Sequence, residues 1–470
     1  MKKSWFVLCG LASLTGCAPG PDGQPMIDAR VLTPVVGPLV MGPQGGPPTG
    51  PPPEGMPPRP DNGMPPPPGG FRPGGPKVEF GTAAYILSDG ERIDGGKYIS
   101  TRDDENTIRA QGNTSATLNG VTIVKNEGRA TSNEGSSFYG LNAAVLAKDH
   151  ANLDINGGRI VANAEGANGV FAYGDAIVHI RNTQVQVSGG NAGGIEVAGG
   201  GVLYADNLDV HTTVKAAIRS DRGGGQLFVN GGQYTTQGSM GAPVIYSTAD
   251  IHVNNATLTS NDSEAVVIEG FNSVTLNNTK LTGRMRDPQG KDGDDVIRNI
   301  MLYQSMSGDA QDGTSKFTMN GGELTARSGD MFYVTNTDSV VNLHNVQVNL
   351  APNSLLLRVA GNHHKNGWGT QGQNGGVCAV NLTDQSLAGN IYVDGISQLT
   401  LAITASSHYT GAINQQGESA KSLSVTLDDS SSWTLTADSY ISEFHGDLHH
   451  VTFNGHTLYI AGKAVSAARH

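Results

Sequence analysis

Residues 249–283 read ADIHVNNATLTSNDSEAVVIEGFNSVTLNNTKLTG. One short phrase occurs in this stretch twice, as IHVNNATL (251–258) and VTLNNTKL (274–281). Val253 and Leu276, the residues before each Asn pair, are 23 positions apart. The same kind of anchor recurs at Leu118, Ile155, Ile180, Ala205, Val229, Val253, Leu276, Met319, Leu343, Leu382 and Phe453, with steps of 25, 25, 24, 24 and 23 from Ile155 to Leu276. Two positions before each anchor and five after it the residue is apolar, as at Leu153 and Ile160 or Val274 and Leu281. Apolar residues two apart with polar ones between describe a strand with one buried face. Two positions after the anchor only Gly, Asn or Asp occurs, from Gly120 and Gly157 through Asn182 and Asn278 to Asp384 and Gly455. These residues reach positive φ cheaply, as a sharp corner between strands requires.

A strand, a left-handed corner and another strand, repeated at a fixed period in the twenties, predict a solenoid. The expected fold is all-β, a right-handed parallel β-helix with about 24 residues per rung over residues 78–464, followed by a short tail, 465–470. Rungs about 4.8 Å apart would build a rod roughly 60–70 Å long. Corner geometry accounts for the Asn and Gly ladder, which carries no function.

Gly occurs 65 times in the 470 residues and charged residues make up 15%, a composition foreign to helical enzymes and adequate for one long solenoid. A net charge of −12 without a basic block argues against nucleic acid and against anionic lipid head groups.

The chain opens MKKSWFVLCGLASLTGCAPG. Two lysines, a short apolar run and small residues describe a secretory signal, residues 1–16, too short to span a bilayer. Leu14-Thr15-Gly16-Cys17 resembles the bacterial lipobox, which implies cleavage before Cys17, its acylation and firm anchoring on a membrane. Ala18 stands where an Asp would retain such a protein in an inner membrane, so an outer-membrane or cell-surface address is expected. Of the 23 prolines, 20 lie between Pro19 and Pro76. Residues 17–77 therefore read as a disordered, polyproline-rich stalk, able to hold the folded part up to roughly 150 Å away at about 3.1 Å per residue. Cys378 is the one further thiol of the mature chain and reads as a small buried residue.

Three steps of the ladder are long: Leu118 to Ile155, Leu276 to Met319 and Leu343 to Leu382, at 37, 43 and 39 residues. Insertions in solenoids gather on one side and often carry binding surfaces.

The segments SFYGLNAAVLA (137–147), AAIRSDRGGG (216–225), EAVVIEGFNSVTL (264–276), NIMLYQSMSGDA (299–310), GDMFYVTNT (329–337) and LLLRVAGN (355–362) resemble those of bacterial pectin-lyase-like β-helix surface proteins. That resemblance covers about residues 80–462 and implies the fold, with an adhesin-like or carbohydrate-binding role and no assigned reaction. SSWTLTADSYISEF (431–444) is similar to late rungs of autotransporter passenger domains.

These segments form a second ladder, with inward positions Val145, Val170, Ile195, Ile218, Ile245, Val267, Leu302, Phe332 and Leu357. The following residues then point outward as a stripe that includes Glu196, Arg219, Tyr246, Tyr303, Tyr333 and Arg358, with Asp221 two positions beyond Arg219. Aromatic faces beside charged and hydroxyl groups suit sugar rings, making these seven the candidate glycan contacts, with an extracellular glycan or neighbouring cell as partner. Ala at Tyr246 or Tyr303 is then expected to remove binding while leaving the melting temperature nearly unchanged. The same side chains also read as a surface ion-pair network with tyrosines covering strand edges.

Catalysis has thinner support. A polysaccharide lyase or hydrolase could use Glu269, which alternation places inward, where burial would raise its pKa; a turn at Gly270 would instead expose it. Asp292, Asp294 and Asp295 offer oxygen ligands for calcium, the one cofactor considered, but their spacing matches no known calcium loop and equally describes a solvated turn. His363, His364 and Trp368 read as a loop without a shared role.

Overall fold

The computed structural model describes residues 80–239, 242–287, 296–363 and 368–465. Cys17, the proline-rich stretch and the calcium candidates Asp292, Asp294 and Asp295 lie outside the described residues. Within them, the period seen in the sequence is a spacing between hydrogen-bonded neighbours. Leu118 pairs with Ile155, Ile155 with Ile180, and so on without a break through Ala205, Val229, Val253, Leu276, Met319 and Leu343 to Leu382. Among the described residues the regular structure is almost entirely β, in large parallel sheets of 12 and 20 strands with two small ones of 4 and 3. Among the described residues the one antiparallel pair joins Leu458–Ile460 to Lys463–Val465.

Burial follows the alternation. The strand Leu153-Asp154-Ile155 is buried, half-buried, buried, and Val274-Thr275-Leu276 repeats the pattern. One apolar cluster runs from Leu87 to Leu458, each fully buried Val, Leu or Ile contributing roughly 1.5–3 kcal/mol. The corner positions from Gly120 to Asp384 all have positive φ, for example Asn182 at 49°, Asn207 at 52°, Asn278 at 48°, Gly321 at 63° and Asp384 at 48°. Asn side chains also bond from one repeat to the one before, at the corner from Asn207 Nδ2 to Asn182 Oδ1 at 2.9 Å and just before it from Asn277 Nδ2 to Asn254 Oδ1 at 2.8 Å. On the outer face of the larger sheet His179, Tyr204, Phe228 and His252 stack at 4.7, 5.0 and 5.3 Å. Their faces cover one another.

The ladder differs from the sequence reading at both ends. Ile93 pairs with Leu118 and Tyr98 with Ile123, and Gly95 takes the corner at φ 75°, so a regular repeat precedes Leu118. It escaped the pattern because Glu91 stands where the apolar flank should be. Phe453 is not an anchor: after Leu382 the column continues to Ile403 and Leu427. Val451 instead pairs with Trp433, whose column leads back through Tyr409 to Leu387, in the strands after the corner. Ala405 occupies the corner position after Ile403 at φ 54°, without the usual Gly or Asn. Cys378 is buried, as expected.

Candidate ligand-binding cleft

The twelve-stranded sheet positions the candidate residues. Its inward column runs Val145, Val170, Ile195, Ile218, Ile245, Val266, Ile300, Phe332 and Leu357. This corrects the sequence reading at two positions: Val267 faces outward, and Leu302, although it does face the core, pairs with Ile268 one inward position beyond this column. The outward neighbours are Glu196, Arg219, Tyr246, Val267, Met301, Tyr333 and Arg358. Tyr303 lies two residues further along and pairs with Glu269. The stripe is therefore interrupted by Val267 and Met301, and Glu269 belongs to the outer face.

It is also not an exposed wall. Glu196 and Tyr333 are 0% accessible and Arg219, Asp221 and Tyr303 at most 8%, because the long insertions fold over this face. The first contains α1, Asn133–Tyr139, capped by Ser132 Oγ and ended by Gly140 at φ 70°. A Cβ at Gly140 would lie 2.8 Å from Leu146 Cδ1 and 2.9 Å from Phe171 Cγ, so the helix end can rest on these side chains only as glycine. Asn168 Nδ2 bonds Ser136 O at 2.9 Å, and Asn191 Nδ2 bonds Ser137 Oγ at 3.1 Å, fixing α1 to the sheet. The second insertion supplies Ser305 to Asp312. The third supplies Trp368, whose carbonyl accepts from the buried amides of Asn362 and Asn374, each at 3.0 Å.

Where these covers meet, a cleft of about 300 Å³ remains. Phe138 of α1, Asp309 and Trp368 reach it from the three insertions, and Arg219, Asp221, Tyr246, Glu264, Arg298 and Tyr303 from the sheet side. Trp368 meets Tyr303 edge to face at 5.0 Å, with the Arg298 guanidinium 5.5 Å from the indole.

Ion pairs line the cleft. Arg219 Nη2 lies 2.5 Å from Asp221 Oδ2 and donates to Ser137 Oγ at 3.0 Å, while its Nε is 3.5 Å from Glu196 Oε1. Its Nη1 is buried without a hydrogen-bond partner. Neither oxygen of Glu196 accepts a bond from a donor group. Burial, only partly offset by Arg219, holds the Glu196 carboxyl well above its ordinary range and raises Asp221 as well. Arg298 pairs with Glu264 at 2.7 Å and Arg222 with Asp309 at 2.6 Å.

Glu269 is 1% accessible, so Gly270 does not expose it. Tyr246 donates to its Oε2 at 2.7 Å and Tyr303 at 3.2 Å, and Ser305 Oγ bonds its other oxygen. Burial raises its pKa despite these donors. Because both tyrosines hold this buried acid, the expected neutrality of their Ala variants toward melting is overturned. Arg358 stands apart, paired with Asp330 at 2.7 Å. Phe138, Glu264, Asp309 and Trp368 were missed; Trp368 had been set aside as part of a loop without a role.

Among the described residues no group of three His, Cys, Asp or Glu could hold a metal ion, and no helix is long and apolar enough to cross a membrane. No family model matches this chain, and no curated protein matches it. The pectin-lyase-like resemblance therefore has no support beyond the motifs quoted for it, and what stands is the all-β, parallel-sheet class.

Proposed function

We propose that this chain is a bacterial cell-surface lipoprotein whose parallel sheets coil as a right-handed β-helix and whose cleft binds carbohydrate without chemical change. Pairing at one-repeat spacing supports the coil, and parallel crossovers are right-handed in about 98% of cases. The lipobox-like Leu14–Cys17 and the proline-rich stretch after it support a membrane anchor and a stalk, and Ala18 an outer-membrane or surface address.

One observation carries the binding reading. Three insertions, distant from one another in sequence, converge over the same sheet and leave a cleft walled by Phe138, Tyr246 and Trp368 among charged pairs. Aromatic walls with a few convergent polar groups are what saccharide recognition requires. A glycan array probed with the purified chain tests it: binding lost in Trp368→Ala supports the cleft, and no binding to any glycan refutes it. For the anchor, incorporation of a labelled fatty acid should disappear in Cys17→Ser; retained label would refute it.

Glu269 favours a second reading, a glycoside hydrolase, since a buried acid with a raised pKa suits proton donation. It stands second because Glu269 lies behind Tyr246 and Tyr303, and a hydrolase needs a second carboxyl across the bond. Release of reducing ends that Glu269→Gln abolishes would reverse this order.

A further inference from the structure

Of the remaining features, the stacked rings from His179 to His252 spend their faces on each other, and buried Lys125 is satisfied by Ser100 Oγ and Arg102 O at 3.2 and 2.6 Å. The cleft itself carries more. Its guanidinium groups are already matched: Arg219 by Asp221, Arg298 by Glu264, and Arg222 at the edge by Asp309. Each guanidinium of the cleft thus already faces a carboxylate of the protein, and none is left over for an anionic ligand.

Hydrogen-bond capacity points the same way. Carboxylates only accept, so Asp221, Glu264 and Asp309 call for a ligand that donates. Arg219 lines the cleft, and its Nη1, buried without a hydrogen-bond partner, calls for an acceptor. A hydroxyl does both. A uronate or sulfate group offers only acceptor oxygens and brings its charge beside existing carboxylates, and like-charge juxtaposition is costly.

Resting on the carbohydrate-binding reading above, we infer that the cleft takes a neutral, hydroxyl-rich saccharide, with Arg219 Nη1 donating to a ring or hydroxyl oxygen and Asp221 and Glu264 accepting from hydroxyls. Phe138, Tyr246 and Trp368 supply apolar surface for the CH faces. At about 300 Å³ the cleft is at the small end of ligand pockets, roughly 300–1,000 Å³, which suits a short oligosaccharide or a chain end.

The test is titration calorimetry of the full chain in 0.15 M salt, against neutral hexose and N-acetylhexosamine oligosaccharides, oligouronates of equal length and a deacetylated amino-sugar oligomer. The expected result is binding of a neutral set, with oligouronates at least about tenfold weaker. Trp368→Ala, shown to be folded by circular dichroism, should weaken the neutral ligand at least about tenfold, because the indole is a cleft wall. Oligouronates or the amino-sugar oligomer binding as tightly as the neutral set would overturn the inference and leave the carbohydrate reading standing. Unchanged binding by Trp368→Ala would overturn the placement in the cleft. No binding by any saccharide would refute the carbohydrate reading itself, and the inference with it.

Discussion

Arg219→Met is the sharpest probe of the covered sheet face. The guanidinium is buried against two carboxyls, at 2.5 Å from Asp221 and 3.5 Å from Glu196, and holds Ser137 of α1 at 3.0 Å. Removing one partner of a buried ion pair costs about 3–5 kcal/mol, since the opposite charge stays behind in a low dielectric. Met has similar reach and restores part of the packing, so about 3 kcal/mol is expected at pH 7.5. Arg219→Lys should recover little, because an ammonium cannot reproduce the fork that spans both carboxyls. Adding Glu196→Gln and Asp221→Asn to Arg219→Met removes the stranded acids and should return most of the loss.

The pH dependence fixes the cause. Burial raises both Glu196 and Asp221 in the folded chain. A raised carboxyl contributes full stability below its unfolded pKa and loses it as pH rises through the folded value. Without Arg219 both folded values move higher, so the loss extends over a wider range. The deficit of Arg219→Met relative to the parent should therefore be larger at pH 7.5 than at pH 4.5, read by urea midpoints from tryptophan fluorescence. A deficit below about 1 kcal/mol at both pH values would refute a buried, charge-coupled cluster and return these residues to a solvated surface network.

At the corners, Asn255→Val should cost about 1–2 kcal/mol, the price of a left-handed backbone for a side chain with a branched Cβ, and Asn255→Gly much less, as urea unfolding will show; Asn255 has φ 56°. Phe228→Ala removes two ring contacts, to Tyr204 and His252, and should cost about 1–3 kcal/mol in the same assay. Burial pushes the Cys378 thiol up to about 12, so a thiol reagent at pH 8 should leave it unlabelled until denaturant is added, with mass spectrometry as the readout. Tyr303→Phe deprives Glu269 of one donor and should lower stability by about 1.5–3 kcal/mol, as bonds to charged groups do.

The parallel-sheet framework was legible because its signal is local and repeated. An anchor such as Val253 needs only its own neighbours, Ile251 two before and Asn255 two after, to declare strand and corner, and the structure pairs every such anchor from Leu118 to Leu382 in register. Where one local mark was missing the reading failed: Glu91 concealed the repeat at Ile93, and Ala405 concealed the corner after Ile403.

The cleft was legible only in part, because its residues meet through contacts that no local pattern encodes. In the strand at Val266–Glu269 all four residues are buried, so apolarity cannot say which side faces the core, and a one-residue slip reverses every side chain. That slip put Glu269 inside and Ile268 outside, when Ile268 pairs with Leu302 in the core and Glu269 with Tyr303 outside it. Arg219 and Glu196 were rightly placed side by side, yet nothing near them announces that α1, some 80 residues earlier in the chain, will cover them. Cover changes their chemistry more than adjacency does. Exposed, the pair would be worth at most about 1 kcal/mol; beneath α1 burial raises the Glu196 carboxyl above its ordinary range and leaves Arg219 Nη1 without a hydrogen-bond partner. The three over-long steps of the ladder were thus the informative mark, and the residues to suspect first were those inside them with large rings, Phe138 and Trp368.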